Sequence, residues 1–207
     1  MDFSGIKVLE EVASPLNGKI RVVKSLGLGT YIQVEGLTQS GGVVETIWRQ
    51  TLKKVSKSLA TNHQTLILGL GGGTAAKLVR KYWPQAKVTG VDIDPVIVGL
   101  GKKYLGLKNI EIVIADAQKF VDETKEKFDL IIIDTYVGYQ YPAKFENIEF
   151  LELVLGLLTA HGLAVFNRLY FDKQRPAVVK FGKKLENIFS KVEYFYPQAN
   201  LMFLCRA

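Results

Sequence analysis

A single cysteine, Cys205, stands among 207 residues, so no intramolecular disulfide can brace this chain. A lone thiol in an apolar, strand-like segment suits a reduced, cytoplasmic setting. Histidine is almost as scarce. His63 and His161 are far apart and offer no metal-ligand spacing, so a metal is not expected and both read as exposed loop residues. No apolar run reaches membrane-spanning length; the longest, Phe150 to Leu158, is broken by Glu152 and reads as a buried helix. The opening Met1-Asp2-Phe3-Ser4-Gly5 has no basic region feeding an apolar one, so no signal peptide is expected. Linkers, repeats and low-complexity stretches are lacking too.

Acidic residues are outnumbered, 20 against 27 lysines and arginines, for a formal charge of +7. A basic surplus can attract nucleic acid. Here the lysines are dispersed over helix-like segments such as Lys53-Lys54-Lys57 and Lys180-Lys183-Lys184, with no aromatic-rich nucleic-acid motif beside them. They read as the wet faces of amphipathic helices, and a nucleic-acid partner is not expected.

The remaining pattern falls into two parts. Lys19–Lys24 and Tyr31–Glu35 alternate with a period near two and predict a small antiparallel β unit over residues 1–43, with Gly41-Gly42 as a hinge. A helix from Val44 to Leu59 opens the second part, residues 44–207. Strands are then predicted at Thr65–Leu68, Lys87–Val91, Ile110–Ile114, Leu130–Ile133 and Gly162–Asn167. Helices fall between them at Ala75–Tyr82, Pro95–Tyr104, Ala117–Thr124 and Ile148–Leu158. Continuous apolar strands alternating with helices predict an α/β fold with a mostly parallel sheet covered on both faces. Helix Pro176–Phe189 and two strands, Lys191–Tyr196 and Leu201–Cys205, predict an antiparallel hairpin at the end.

Strand, glycine turn and helix meet in Leu66-Ile67-Leu68-Gly69-Leu70-Gly71-Gly72-Gly73-Thr74, and the next strand ends on Asp92. Glycines permit a sharp turn and close approach to a ligand, and an acid at that distance suits the two hydroxyls of a ribose. The turn fits a nicotinamide dinucleotide as Gly71-x-Gly73-x-x-Ala76, and an adenosyl-sulfonium ligand as Gly69-x-Gly71-x-Gly73. Later strands discriminate. The third ends at Asp116-Ala117 and the fourth at Asp134, so three successive strands carry acids at their carboxyl ends, where open α/β sheets bind ligands. That series suits one adenosine with a reacting group beside it.

From Leu66 to Asp134 the chain resembles class I S-adenosylmethionine-dependent transferases, specifically the spermidine-synthase-like branch. Gly71-Gly72-Gly73, Val91-Asp92-Ile93-Asp94-Pro95 and Asp116-Ala117 carry the likeness. Ser14-Pro15 and Val34 to Ser40 extend it to a β-hairpin domain. The resemblance implies a Rossmann-like class I methyltransferase sheet and a donor, S-adenosylmethionine or its decarboxylated form. By it Gly69, Gly71 and Gly73 would pass the methionine part, Asp92 the ribose, Asp116 with Ala117 the adenine, and Gln39 would reach in from the small domain. It also implies a possible homodimer.

Aminopropyltransferases of this branch carry a second acid after the fourth strand, where this chain has Asp134-Thr135-Tyr136-Val137, and an acid after the glycine triplet, where it has Thr74. A polyamine's ammonium groups need carboxylates to offset their desolvation. Methyl transfer to a small acceptor is therefore the expectation, with aminopropyl transfer as the alternative and a non-catalytic nucleoside-binding module as a third reading. Asp134 is the candidate general base, or else a group that contacts the donor or orients the loop after it. Tyr136, Tyr139 and Tyr141 either wall the acceptor pocket or pack that loop onto the sheet.

Overall fold

In the computed structural model, residues 5–207 are described, so the opening Met1–Ser4 on which a leader was judged lies outside them. Two sheets organise the chain. Strands β1 (Ile6–Ser14), β2 (Gly18–Ser25), β3 (Gly29–Val34) and β4 (Leu37–Gly41) form an antiparallel meander in sequence order. Helix α1 (Gly42–Val55) then leads into β5 (Gln64–Leu68), α2 (Thr74–Tyr82), β6 (Lys87–Asp92), α3 (Pro95–Leu100) and β7 (Glu111–Ile114). Next come α4 (Ala117–Glu123), β8 (Phe128–Ile133), α5 (Ile148–Leu157), β9 (Leu158–Leu169), α6 (Arg175–Glu186), β10 (Lys191–Phe195) and β11 (Asn200–Arg206).

The large sheet is ordered β10-β11-β9-β8-β5-β6-β7. The pairs from β9 to β7 are parallel, while β11 runs antiparallel between β9 and β10. This is a Rossmann-like α/β sheet with a separate antiparallel sheet beside it. Strand order reverses at β5, which leads to β6 on one side and abuts β8 on the other. A crevice opens outside the carboxyl ends at such a switch point.

Both faces of the central strands are buried, in strict alternation. Ile67, Leu130, Ile132 and Val165 join the layer under α1, α2 and the small sheet. Leu66, Leu68, Ile131, Ile133 and Phe166 join the layer under α4, α5 and α6. This is why the strands read as continuous apolar runs. None of the described helices is long and apolar enough to cross a membrane.

Three local expectations change. Gly41-Gly42 is a fixed junction rather than a hinge: a Cβ on Gly41 would stand 2.5 Å from the Thr30 carbonyl oxygen. The Gly41 N–H also donates to Thr74 Oγ1 at 2.7 Å, pinning β4 to the glycine turn. His63 is buried, with its ring edge-on to Trp83 at 4.9 Å and Nδ1 2.7 Å from the Ala60 carbonyl. His161 is exposed but sits within β9, which starts at Leu158 instead of Gly162.

A buried carboxylate, Asp94, adds to the links that lock the small sheet to the large domain. Asp94 caps α3 by accepting from the Val96 N–H at 2.9 Å. Its other oxygen accepts from Ser14 Oγ, at the end of β1, at 2.5 Å and from Asn17 Nδ2, in the turn that follows, at 2.6 Å. Asp94→Ala strands those donors and the helix cap together. A loss of about 2–4 kcal/mol in unfolding free energy is expected, measured by chemical denaturation. A loss below about 1 kcal/mol contradicts this role.

Candidate active site

A cavity of about 510 Å³ lies over the switch point, between the carboxyl ends of the large sheet and the β3–β4 hairpin with α1. That volume suits a nucleoside-sized ligand. Its floor is the glycine turn. Gly69 adopts φ +84°, and a Cβ there would stand 2.2 Å from the Asp134 carbonyl oxygen. The crossing is this close because β5 and β8 are adjacent and the Asp134 N–H donates to the Leu68 carbonyl at 2.8 Å.

Every backbone N–H of the turn is engaged by the protein itself. Gly69 and Leu70 donate to the Val91 carbonyl at 2.9 and 3.0 Å, and Gly73 to that of Leu70 at 2.9 Å. Gly71 donates to Asp92 Oδ2 at 2.6 Å and Gly72 to Ser40 Oγ at 2.8 Å. Gly69 and Gly71 line the cavity, but Gly73 does not. The expected ligand contact at Gly73 is corrected: a Cβ there would meet Leu107 at 2.5 Å, so its task is packing.

Asp92 ends β6. Besides Gly71 it accepts from the Asp94 N–H through Oδ1 at 2.9 Å, so it shapes the turn as well as lining the cavity. Burial pushes its carboxyl above the ordinary range despite these hydrogen bonds. Asp116 caps α4, accepting from the Gln118 N–H at 2.9 Å and the Lys119 N–H at 3.3 Å. Its other oxygen takes the Lys144 ammonium. Burial raises its pKa, but Lys144 and the two backbone donors outweigh that and leave it below the usual carboxylate value. Ala117 lines the cavity beside it.

Asp134 is held from two sides. Asn167 Nδ2 donates to Oδ1 at 2.7 Å, and Trp48 Nε1 to Oδ2 at 3.1 Å. Asn200 Nδ2 in turn donates to Asn167 Oδ1 at 2.7 Å and fixes which end of that amide faces the acid. Burial pushes Asp134 up to about 6; the two donors oppose this, and nearby Asp92 adds to it. A carboxylate so tuned is largely ionised at neutral pH yet a usable proton acceptor.

The three tyrosines part company. Tyr136 lines the cavity, and its hydroxyl accepts from the Leu169 N–H at 2.7 Å. Burial raises its pKa. Tyr141 is turned away from the cavity into a cluster with Phe181 and the buried Arg168, whose guanidinium lies 4.0 Å from its ring centroid. Tyr139 is exposed at the tip of the turn closed by Val137 and Gln140, also outside the lining. The acceptor-pocket expectation is thus corrected for Tyr139 and Tyr141, which pack or cover the loop. Gln39 does reach the cavity and donates weakly to the Gly138 carbonyl at 3.4 Å, tying the small sheet to that loop.

Trp48, Ser40, Lys144 and Asn200 carried no sequence signal, since each gains its partner only through chain segments far away. Asn167 does carry a signal, its place at the carboxyl end of the fifth predicted strand, from which a side chain could touch substrate; the structure turns it onto Asp134.

Charge in the cavity opposes that of the whole chain. Among the described residues, its lining carries Asp92, Asp116 and Asp134 against the single Lys144, which is already paired. The formal balance is therefore −2 inside a chain of +7. Such a cavity favours a cationic ligand.

Comparison with known proteins matches this arrangement. The family model described as spermine/spermidine synthase domain matches residues 45–199. A polyamine aminopropyltransferase of Sulfurisphaera tokodaii is 34% identical over 137 residues, covering 62% of this chain and 45% of that protein. One from Saccharolobus solfataricus is 36% identical over 138 residues, covering 62% and 46%. The chain spans about half the length of these curated relatives. The solved structure of spermidine synthase from Thermotoga maritima superposes with a TM-score of 0.80 at 20% identity, over 97% of this chain and 72% of that one. Human methyltransferase-like protein 13 in complex with SAH gives 0.63 at 19% identity, over 79% of each chain. These two likenesses show a shared fold. Matching relatives named for aminopropyl transfer, together with the family model, overturn the expectation of methyl transfer, which rested on two missing acids. This chain belongs to the spermine/spermidine synthase domain family.

Proposed function

We propose that the cavity binds decarboxylated S-adenosylmethionine and that the chain transfers its aminopropyl group to an amine. One observation carries the choice of donor. All five N–H groups from Gly69 to Gly73 are engaged internally, and the charged side chains lining the cavity beside the turn, Asp92 and Asp134, are carboxylates. A donor's α-carboxylate would find no free N–H in this turn and would lie among like charges, whereas a sulfonium with a terminal ammonium would be matched. Asp92 is suited to the ribose hydroxyls, and Asp116 with Ala117 to the adenine.

The bound donor supplies an electrophilic carbon beside a sulfonium. The acceptor nitrogen forms a bond to that carbon, the carbon–sulfur bond breaks, and its electron pair returns to sulfur to give methylthioadenosine. Asp134 takes the proton that the attacking nitrogen loses, with Trp48 and Asn167 fixing the direction of its oxygens.

Calorimetric titration tests the donor. Decarboxylated S-adenosylmethionine is expected to bind about tenfold or more tightly than the carboxylated form. Equal or tighter binding of the carboxylated form overturns the proposal. Asp92→Ala should weaken donor binding by about 1–3 kcal/mol, by removing the ribose acceptor and leaving the Gly71 N–H unpaired. An unchanged Kd in that variant would dismiss Asp92 as a donor ligand.

A further inference from the structure

With the donor on Asp92 and Asp116, Asp134 is left to meet the attacking nitrogen of the acceptor. A second ammonium on that acceptor gains from a further carboxylate within reach. Acids that stand next to lining residues in the chain are the candidates. Asp94 is tied to Ser14, Asn17 and the start of α3, while Glu45 is paired with Arg49 and Glu146 with Arg168. Glu35 and Asp172 are exposed, and among the described residues neither side chain has a hydrogen bond or an ion pair.

Glu35 stands at the tip of the β3–β4 hairpin in a left-handed conformation, φ +48°, just before Gly36 and Leu37 of the cavity lining. That tip meets the loop after Asp134. Glu35 Oε2 stands 3.3 Å from the position a Cβ on Gly138 would take, and no other atom comes within 4 Å of that position. Gly138 follows Val137, which lines the cavity, and its carbonyl accepts from Gln39 Nε2 on the same hairpin. An unpartnered carboxylate is thereby carried across to the cavity rim. It lies against the very loop in which Thr135-Tyr136-Val137 supplies no second acid.

We infer that Glu35 holds the distal ammonium of a diamine or polyamine acceptor whose near nitrogen meets Asp134. This rests on the aminopropyl-transfer reading above and deepens it by naming a residue of the small sheet that sets acceptor specificity. Glu35 takes no part in bond making or breaking. Its pairing is open to water and screened by salt, so it confers a moderate preference for a second ammonium rather than an absolute requirement.

Glu35→Gln keeps the size of the side chain and removes its charge. Parent and variant are supplied with decarboxylated S-adenosylmethionine and putrescine at neutral pH and low salt, and methylthioadenosine release is followed by chromatography. Butylamine, matched to putrescine in chain length but without the second ammonium, is scored by its inhibition constant against putrescine. The variant is expected to lose about three- to fivefold in kcat/KM for putrescine, through KM with kcat unchanged. Its inhibition constant for butylamine and its donor Kd should stay within about twofold of the parent's. Asp172→Asn, the control at the other exposed acid, should change none of these. An unchanged KM for putrescine in Glu35→Gln, an equal loss for butylamine, or a putrescine-selective loss in Asp172→Asn instead overturns the inference while leaving aminopropyl transfer in place. A parent that binds the donor and releases no methylthioadenosine with putrescine overturns both readings together.

Discussion

Asp134→Asn is expected to lower kcat by about 10²–10⁴-fold while changing donor affinity by less than about threefold. The substitution keeps the shape of the side chain and removes the proton acceptor. It also sets an amide N–H against one of two donors, Trp48 Nε1 or Asn167 Nδ2, which already point at that position. Stopped-flow or steady-state release of methylthioadenosine, run beside calorimetry on the same samples, separates the outcomes. Equal losses in turnover and donor binding would make Asp134 a donor ligand instead of a base.

The pH dependence follows from the raised pKa of Asp134, about 6 against an ordinary 3.8. Only the ionised form accepts a proton, so kcat/KM should climb through pH 6 from the acid side. Trp48→Phe removes a donor to the ionised form, so that acid limb should move to higher pH. Stability has the opposite sign. The native state holds this proton longer than the unfolded chain does. Ionising Asp134 therefore costs stability progressively between its unfolded and folded values, on the order of 2–3 kcal/mol once complete. Asp134→Asn has no such group. Its stability relative to the parent should improve by that order of magnitude between pH 4 and pH 7. Parallel stability curves would contradict the raised pKa.

Gly69→Ala should have the largest structural effect. Its φ of +84° is strained for any residue with a Cβ, and the added carbon would stand 2.2 Å from the Asp134 carbonyl oxygen and 2.6 Å from the carbonyl carbon. Backbone cannot rotate out of the way as a side chain would. Relief requires β5 and the end of β8 to separate, which breaks the hydrogen bond from the Asp134 N–H to Leu68 and tilts Asp134 away from Trp48. We expect a loss of roughly 3–5 kcal/mol or failure to fold, together with loss of donor binding. Circular dichroism with urea titration reads the first and calorimetry the second. A variant with unchanged stability would mean that the crossing of β5 and β8 is looser than described.

The elements most legible in the sequence were those with strong period and two buried faces. Leu66–Leu68 and Leu130–Ile133 read as strands because neither face meets water, and the structure buries all of these side chains. The C-terminal hairpin was legible as well, but the insertion of β11 between β9 and β10 was not. Its pairing with β9, from Asn200–Leu169 to Arg206–Leu163, joins residues distant in the chain and leaves no local trace. His63 misled for a related reason. A polar residue before a strand reads as exposed unless the ring that covers it, here Trp83, is known to lie above it.

Function was misread where composition stood in for position. The missing acids after Asp134 and in place of Thr74 argued against a polyamine acceptor and so for methyl transfer. Yet Thr74 serves the junction with Gly41, and the cavity still carries a net negative charge. Tyr136 and Tyr141 are five residues apart in one short loop, and only the first faces the cavity.

What the sequence determined alone was local and periodic: a strand and glycine turn, acids at Asp92, Asp116 and Asp134, and an alternation that permits one parallel sheet. These follow from φ restrictions and from burial at fixed spacing, which each segment carries within itself. Tertiary structure decided which groups meet. It brought Trp48 from α1, Ser40 from the small sheet and Asn167 from β9 onto the same few ångströms around the turn. Hydrogen bonding and desolvation act through space over such distances, so the chemical character of Asp134 exists only once the chain has closed around it.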